Sequence, residues 1–372
     1  MTWQTLAIVS LLATTSCEGP RPAAKVLPNF RAACSAAANK PAANLTPLKL
    51  QLPWFPNGEH SYNYLGKSLG IFTAHGFDVE IVTGKGSDIA ARALAVGNVD
   101  AAIIGGDALV LVNQEGGDIR SIGAVYQETP VVIYSLAERG IDKDPTKLYG
   151  RSLGLLPGSN TVTQYEGIAN ALQLDRSKIT EVTVQPPLAA GMILKGRGVP
   201  SNPNDASMLD ALVHYTQFAP LETTTNNPDV KLSQISLAKD LGVKIYGMTR
   251  AVQAGELSDN QLTHLKQAVY DSFQCAKAGP EASIEALAEA NPGAEFGPSG
   301  KDRKYATAQL AAMLTMACEG IDRGPKCEGF LSQDKGYWGE TIKTLVRFGL
   351  LKKPVDTGTV MQDVDILTIP VA

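Results

Sequence analysis

The chain has 372 residues, of which 44% are hydrophobic and 19% are charged, a globular composition with enough length for two domains of ordinary size. Its formal net charge of −4 at pH 7 provides no basic surface for phosphate backbones, which argues against nucleic-acid binding. After the amino-terminal segment, no apolar run approaches the roughly 18 residues that a membrane helix needs.

The amino-terminal segment has the pattern of an export signal. An apolar run over residues 6–13 is too short for a stable membrane anchor and is followed by small residues and Cys17. We predict a signal peptide over residues 1–17 and an Ala-, Pro- and Asn-rich linker over residues 18–46. The residues before Cys17 resemble a bacterial lipoprotein cleavage site, which would make Cys17 lipidated; the alternative is a cleaved soluble precursor. Both alternatives predict a periplasmic or other extracytoplasmic location.

The remaining cysteines are candidates for disulfide bonds. Without Cys17 their number is even, and an oxidising compartment would allow two disulfides with three possible pairings. A turn-rich stretch between the last two could be closed by a local bridge. Metal binding is not predicted, because no CxxC pair or histidine partner lies at a suitable spacing. The candidate cysteines are Cys34, Cys275, Cys318 and Cys327.

Strand and helix patterns alternate regularly from residue 48 onwards. Period-two alternation and short apolar runs predict strands, whereas apolar residues on one helical face predict helices. The predicted strands are residues 48–52, 77–82, 100–104 and 119–126, and the predicted helices are residues 61–75, 87–96 and 108–114. This βαβαβαβ order predicts a mainly parallel sheet with helices on both faces.

A second alternating region follows residue 130. Its predicted strands are residues 131–136, 153–156, 179–184, 211–215 and 244–248, with a helix over residues 161–172. A Pro- and Asn-rich insertion lies at about residues 196–207, and the end of the chain is predicted to be helical over residues 258–278, 281–290, 302–318 and 336–349.

These patterns predict an α/β, two-lobed architecture of mainly parallel sheets flanked by helices, with a helical carboxyl-terminal extension. Residues 47–128 and 243–372 would form the first lobe, and residues 129–242 the second. Two chain crossings, near residues 128–130 and 241–242, would form a hinge. In open α/β sheets ligands bind beyond the carboxyl ends of the strands, so the loops at those ends are the candidate site.

Two first-lobe loops carry candidate ligand-binding residues. The segment Trp54-Phe-Pro-Asn-Gly-Glu-His60 combines an indole, an amide, a carboxylate and an imidazole, which suit stacking and hydrogen bonding to a planar polar ligand. Alternatively, Trp54 packs inside the lobe and His60 begins a helix. After the third strand, Gly106 permits close approach of a ligand, and Asp107 either contacts the ligand or caps the following helix.

A third loop, Pro157-Gly-Ser-Asn-Thr161, opens a helix in the second lobe. Its free backbone N–H groups and hydroxyls suit an anion or a polar oxygen, although Ser159 or Asn160 could serve simply as the helix cap. The four histidines are scattered without a metalloprotease motif or a nucleophile elbow. We therefore predict no catalytic residue, no metal and no cofactor.

Several of these motifs, taken in order, resemble the type II periplasmic solute-binding proteins of ABC importers. The similarity covers residues 47–280 and points to the branch that binds alkanesulfonate, taurine, nitrate and thiamine-pyrimidine precursors. The opening W-x-P-N-x-x-H pattern and the later G-F-D-V-E, L-x-x-G-x-V-D-A and glycine–serine motifs carry it. In this chain they are Trp54-Phe-Pro-Asn57 with His60, Phe77-Asp-Val-Glu-Ile81, Leu94-Ala-Val-Gly-Asn-Val-Asp-Ala101 and Leu156-Pro-Gly-Ser159.

The resemblance implies a substrate-binding component that closes its lobes around a small molecule and delivers it to an ABC permease and ATPase. It implies a monomer with no nucleic-acid partner, attached to the membrane only through the alternative lipid anchor. Its rival is an enzyme of the thiamine-pyrimidine synthase type on the same fold. Aromatic residues favour a planar heterocycle, whereas the helix start at Ser159 favours a sulfonate or oxyanion. The candidate ligand-binding residues are Trp54, Asn57, His60, Gly106, Asp107, Tyr126, Ser159, Asn160 and Tyr215.

Overall fold

A computed structural model describes residue 34 and residues 42–216, 218, 227–292, 303–318 and 329–366. The predicted signal peptide, Cys17 and Cys327 lie outside these residues. Within the described part of the chain, no helix is long and apolar enough to cross a membrane.

The first lobe is built on a five-stranded sheet. Its strands are β1 (Thr46–Gln51), β2 (Phe77–Val82), β3 (Ala101–Ile104), β4 (Ile119–Tyr126) and β10 (Met248–Gln253). Their order in space is β2-β1-β3-β10-β4, in which β1 is parallel to β2 and β3 while β10 is antiparallel to β3 and β4. In β1, Leu48 and Leu50 are buried and Lys49 between them is exposed, as a period of two requires.

The second lobe is built on another five-stranded sheet with a related arrangement. Its strands are β5 (Val131–Leu136), β6 (Ser152–Leu155), β7 (Thr180–Thr183), β8 (Ala211–Tyr215) and β9 (Leu232–Ser236). Their order is β7-β6-β8-β5-β9, in which β6 is parallel to β7 and β8 while β5 is antiparallel to β8 and β9.

The predicted fold class is confirmed: in each sheet four strands point one way and one strand points the other way. The reversed strand is the one that enters its sheet from the other lobe. The chain leaves β4 at Tyr126 and enters β5 at Val131, opposite Tyr215 at the carboxyl end of β8. Likewise, β10 begins at Met248, opposite Tyr126 at the carboxyl end of β4. Because the chain enters each sheet at the edge where the other strands end, β5 and β10 run antiparallel to those strands.

Ten helices flank the two sheets in the described part of the chain, besides short 3-10 turns such as Gly58–His60. They are α1 (Ser61–Ser68), α2 (Ile71–Ala74), α3 (Ser87–Ala95), α4 (Gly106–Gln114), α5 (Asn160–Ala171), α6 (Pro186–Lys195), α7 (Asp259–Ala278), α8 (Pro280–Ala290), α9 (Arg303–Cys318) and α10 (Lys335–Arg347).

Two predicted elements need correction, and two observed elements were not predicted. The helix predicted over residues 61–75 is divided at Gly70, whose left-handed φ of 73° ends one helix and starts the next. The strand predicted over residues 244–248 is wrong: β10 begins at Met248, and the apolar Ile245 and Tyr246 are instead buried in the crossing that precedes it. Helix α6 and strand β9 were not predicted.

The carboxyl-terminal helix α10 packs against α4 of the first lobe and α5 of the second. Its Trp338 is fully buried, and Phe348 just beyond it lies against Gly167 of α5, where an added Cβ would come within 2.3 Å of the Phe348 ring. One hydrophobic core therefore includes residues of both sheets together with this helix. Helix α10 therefore connects the two lobes through a shared hydrophobic core.

A disulfide bond joins Cys34, before the first strand, to Cys275 of α7, with the Cα atoms 5.6 Å apart. This confirms two of the candidate cysteines and selects among the open pairings. Cys318 is also disulfide-bonded. Its pairing with Cys327 stays a prediction, because Cys327 lies outside the described residues.

Candidate functional site

A cleft lies between the lobes at the carboxyl ends of their strands, and its empty space of about 670 Å³ includes open solvent. Residues following β1, β2, β6 and β8 line it, as expected for an open α/β fold. The first lobe contributes Pro53, Trp54, Phe55, Asn57, Glu59, Ser87, Met248 and Gln309. The second lobe contributes Leu156, Ser159, Asn160, Thr161, His214, Tyr215 and Phe218.

Aromatic rings from both lobes face the cleft. The ring centroids of Trp54 and Phe55 are 5.5 Å apart, and Tyr215 and Phe218 stack with centroids 6.3 Å apart and an interplanar angle of 23°. Phe55 is 40% exposed, whereas Trp54, Tyr215 and Phe218 are less exposed. Such walls suit a flat ligand that can stack between them.

Glu59 is the acidic side chain among the described residues that line the cleft. The Tyr126 hydroxyl donates a hydrogen bond of 2.6 Å to its Oε1. Burial raises the pKa of Glu59 to about 7, despite the opposing effects of Tyr126 and His214. This carboxyl group therefore exchanges its proton near neutral pH.

Among the residues that the structure describes, no permanent cation lines the cleft beside Glu59. His60 Nε2 lies 3.8 Å from its Oε2, but burial, aided by Arg250, lowers the pKa of His60 to about 3, so the imidazole is neutral. Arg250 is buried outside the cleft and donates hydrogen bonds to Tyr62 and Asn63. Among the described residues, neither lysine nor arginine lines the cleft.

Asn57 supplies a further acceptor in this wall. Its Oδ1 is buried and has no hydrogen-bond partner within the described part of the chain. Leaving such an oxygen unpaired costs about 1–3 kcal/mol. A ligand that donates a hydrogen bond here would remove that penalty.

Polar side chains join the lobes behind this wall. Tyr215 OH donates to Asn160 Oδ1 at 2.7 Å, and Asn160 Nδ2 lies 3.4 Å from Asp107 Oδ1. Gln164 Nε2 of α5 donates to Asp107 Oδ2 at 2.8 Å. Burial, with the neighbouring Asp88, raises the pKa of Asp107 to about 7. Because Asp107 belongs to the first lobe, these bonds hold the lobes in contact.

The structure brings five of the nine candidate residues to the cleft. They are Trp54, Asn57, Ser159, Asn160 and Tyr215. Ser159 is also the N-cap of α5, where its Oγ accepts a hydrogen bond from the Thr161 N–H. The ligand-facing and capping interpretations of this residue therefore both hold geometrically.

The other four candidates do not line the cleft, and each is displaced for a physical reason. His60 is turned inward and is 1% exposed, while Tyr126 stands behind Glu59. Gly106 packs against Tyr246, whose carbonyl oxygen an added Cβ would approach to 2.8 Å. Asp107 lies behind Asn160, and it is not the cap of α4 because Gly105 occupies that position.

Sequence reasoning missed several lining residues. Glu59 lies inside the loop that was singled out, so its carboxylate was visible but was not selected. His214 also lines the cleft but was not among the candidate residues. Gln309 comes from α9, and its Oε1 accepts a hydrogen bond from the Gly58 N–H at 3.1 Å; no local pattern signals that contact. The described residues hold no group of three or more His, Cys, Asp or Glu side chains suited to a metal ion.

Asp107→Asn is expected to stabilise the protein by about 1 kcal/mol at pH 8 and to have less effect at pH 5. The folded-state pKa of Asp107 is raised from 3.8 to about 7, so the free energy of unfolding that depends on this group falls as the pH rises between those values. Thermal unfolding at both pH values measures the difference. The exposed Asp78→Asn is the control, and equal changes at both pH values would contradict the expectation.

Comparison with known proteins adds the family and the fold. The family model described as NMT1/THI5 like matches residues 57–283. No curated protein matches the chain in sequence. The alkanesulfonate-binding protein SsuA from Xanthomonas axonopodis pv. citri, bound to MOPS, is 14% identical with a TM-score of 0.58, over 86% of this chain and 99% of that chain.

Two further solved structures share the architecture. The periplasmic aliphatic sulphonate binding protein SsuA from Escherichia coli is 14% identical with a TM-score of 0.58, over 86% of this chain and 93% of that chain. A ligand-binding component of an ABC-type import system from Staphylococcus aureus is also 14% identical, with a TM-score of 0.55 over 86% of this chain and 97% of that chain. At these identities the likeness shows the two-lobed fold.

Proposed function

The chain belongs to the NMT1/THI5-like family, and we propose that it is the substrate-binding component of an ABC importer. It captures a small molecule between its lobes, and the closed form delivers that molecule to a membrane permease driven by an ATPase. The fold shared with periplasmic binding proteins supports this role. The connections around residues 127–130 and 237–247, which join the two sheets, serve as the hinge.

The proposed ligand is a planar nitrogen heterocycle that donates hydrogen bonds, such as an aminopyrimidine. The observation that carries this proposal is the composition of the cleft: aromatic rings on both sides, the Glu59 carboxyl group and the unpartnered Asn57 Oδ1. Ring stacking binds a flat molecule, and these two acceptors match amino or ring N–H groups.

A sulfonate fits the same cleft less well. A buried sulfonate is normally held by charge-assisted hydrogen bonds from cationic groups, and the described lining has no lysine or arginine but has Glu59. The start of α5 is the feature that favours an anion. However, Asp107 contacts Asn160 in its first turn, and Asp88 accepts a hydrogen bond from Thr163 at 3.4 Å. Two carboxyl groups therefore already lie beside this end of α5, where they would disfavour an anion.

Export completes the proposed role. A signal peptide over residues 1–17 would place the mature protein in the periplasm or outside the membrane, and lipidation of Cys17 would hold it close to its permease. A disulfide between Cys34 and Cys275 agrees with an oxidising compartment.

A ligand panel tests this function. Purified mature protein is mixed with aminopyrimidines, alkanesulfonates and inorganic oxyanions, while its Tm and tryptophan fluorescence are recorded. We expect one aminopyrimidine to raise Tm, since a ligand at 100 times its Kd stabilises by about 2.7 kcal/mol. The same ligand should change the Trp54 emission, and the Trp54→Phe variant, which keeps the buried Trp338, should lose that signal.

The outcomes separate the alternatives. Stabilisation by sulfonates alone would contradict the proposed ligand class but keep the transport role. Time-dependent conversion of the ligand would contradict the transport role and support the synthase-type enzyme, in which Glu59 would act as an acid or base.

A further inference from the structure

Two histidines meet on the first lobe outside the cleft. His75 follows α2 and His264 lies in α7, and their Nδ1 atoms are 3.3 Å apart. The ring centroids are 5.6 Å apart with an interplanar angle of 50°. Neither residue lines the ligand cleft, so the pair is independent of the proposed transport role.

A carboxylate orients the first of these rings. His75 Nε2 lies 3.1 Å from Asp271 Oδ2, and Gln267 Nε2 donates to the other carboxylate oxygen at 2.8 Å. The positions 264, 267 and 271 share one face of α7, because residues three and seven apart on a helix point the same way. One helical face therefore supplies a ring, a carboxylate and the amide that holds the carboxylate.

The hydrogen bonds determine which nitrogen of His75 can act as a ligand. An ionised carboxylate only accepts, so Nε2 of His75 must carry a proton. The neutral ring then has its lone pair on Nδ1, directed toward His264.

We propose that His75 and His264 form a site for a divalent transition metal ion, bound through their two Nδ1 atoms. Two nitrogens each about 2.0–2.1 Å from a tetrahedral Zn²⁺ lie about 3.3–3.4 Å apart, which matches the observed separation of 3.3 Å. Asp271 stands where a carboxylate supports a metal-bound histidine from its far nitrogen, so it is an outer partner and water completes the coordination.

Access to the pair is compatible with such a site. The side chain of His75 is 9% exposed and that of Asp271 is 21% exposed, and His264 is partly exposed. The two rings are thus largely surrounded by protein, while solvent reaches one side of the pair. Cys275 of the same helix is in a disulfide and therefore does not offer a thiolate to this site.

Metal titration of the tag-free mature protein under non-reducing conditions tests the proposal. We expect one equivalent of Zn²⁺ to bind by calorimetry, and Cu²⁺ to bind more tightly, as the Irving–Williams order requires. The Cu²⁺ electron paramagnetic resonance spectrum should show coupling to two imidazole nitrogens. This spectroscopic result needs no variant and cannot arise from a hydrogen-bonded histidine pair that binds no metal.

Variants assign the ligands. His264→Gln and His75→Gln should each lower Zn²⁺ affinity at least about tenfold, and Asp271→Asn should lower it about tenfold through loss of the outer partner. His214→Ala removes a histidine elsewhere and should leave Zn²⁺ binding unchanged. Circular dichroism and Tm in the presence of EDTA establish that each variant folds. Absence of saturable binding, or binding unchanged in both histidine variants, would overturn the site.

Discussion

Gly86→Ala is expected to lower ligand affinity about a hundredfold by preventing the lobes from closing. A Cβ added at Gly86 in the first lobe would lie 1.9 Å from the carbonyl oxygen of Gly158 in the second lobe. The atoms that this Cβ would meet belong to the Gly158 backbone, and the Cβ itself is fixed by the backbone of residue 86, so no flexible side chain can move aside. If the closed form falls to about 1% of the molecules, the apparent affinity falls about a hundredfold.

Calorimetry with the ligand found in the panel measures the affinity, and small-angle X-ray scattering with that ligand reports whether the lobes close. Gly86 has a φ of 136°, so alanine there also strains the backbone, by about 1–3 kcal/mol. Gly116→Ala is the matched control, because Gly116 has a φ of 98° but an added Cβ meets nothing within 4 Å.

The Gly116→Ala control should lose stability but keep its affinity for the ligand. Gly158→Ala gives an intermediate case, because its Cβ would lie 3.2 Å from the Lys85 carbonyl oxygen, a contact that a small shift relieves. An equal loss of affinity in the Gly86 and Gly116 variants would show that backbone strain, and not lobe closure, is responsible.

Glu59→Gln is expected to weaken binding of a hydrogen-bond-donating heterocycle by about tenfold to a hundredfold. A hydrogen bond to a charged group contributes about 1.5–3 kcal/mol, and the glutamine amide keeps the shape of the side chain while losing the charge. For a sulfonate the sign is reversed, because the same change removes a repulsive carboxylate. The variant therefore discriminates between the two ligand classes.

The pH dependence gives a second measurement of Glu59. Its pKa is raised to about 7 by burial, so the ionised form that accepts ligand N–H groups accumulates between pH 6 and 8. We expect wild-type affinity to rise over this range and the Glu59→Gln variant to remain flat. The exposed Glu80→Gln is the control, and a wild-type profile without pH dependence would contradict the assignment.

The Glu59→Gln variant should also be stably folded. Because the folded-state pKa of Glu59 is above its value of 4.5 in a free side chain, ionisation of this group destabilises the folded state as the pH rises through about 7. The neutral glutamine avoids that cost, so its free energy of unfolding at pH 8 should equal or exceed that of the wild type.

Much of the fold was predictable because its signals are local. Alternation at Leu48 and Leu50 reflects one buried face of β1, and the apolar stripes of α3 and α5 reflect one buried face of each helix. Strand direction was not predictable in the same way. The reversed β5 and β10 have ordinary strand sequences, and their direction depends on the edge at which the chain enters each sheet.

The sequence predicted which loops form the candidate site better than it predicted which side chains face the cleft. The loop from Trp54 to His60 does form a cleft wall, but it is Glu59 and not His60 that faces the cavity. A 3-10 turn over Gly58–His60 sets that choice. Asp107 was predicted either to contact the ligand or to cap the following helix, but it joins the lobes and does neither.

The sequence by itself determined the alternation of strands and helices, the order of the family motifs and the loops that end the strands, because each depends on residues close together along the chain. Only the tertiary structure decided which side chains meet. Gln309 reaches Gly58 across 251 positions, His264 reaches His75 across 189, and Gly86 comes against Gly158 of the other lobe. Such contacts depend on how two sheets and the returning helices pack, and a separation of that length leaves no local pattern from which they could be read.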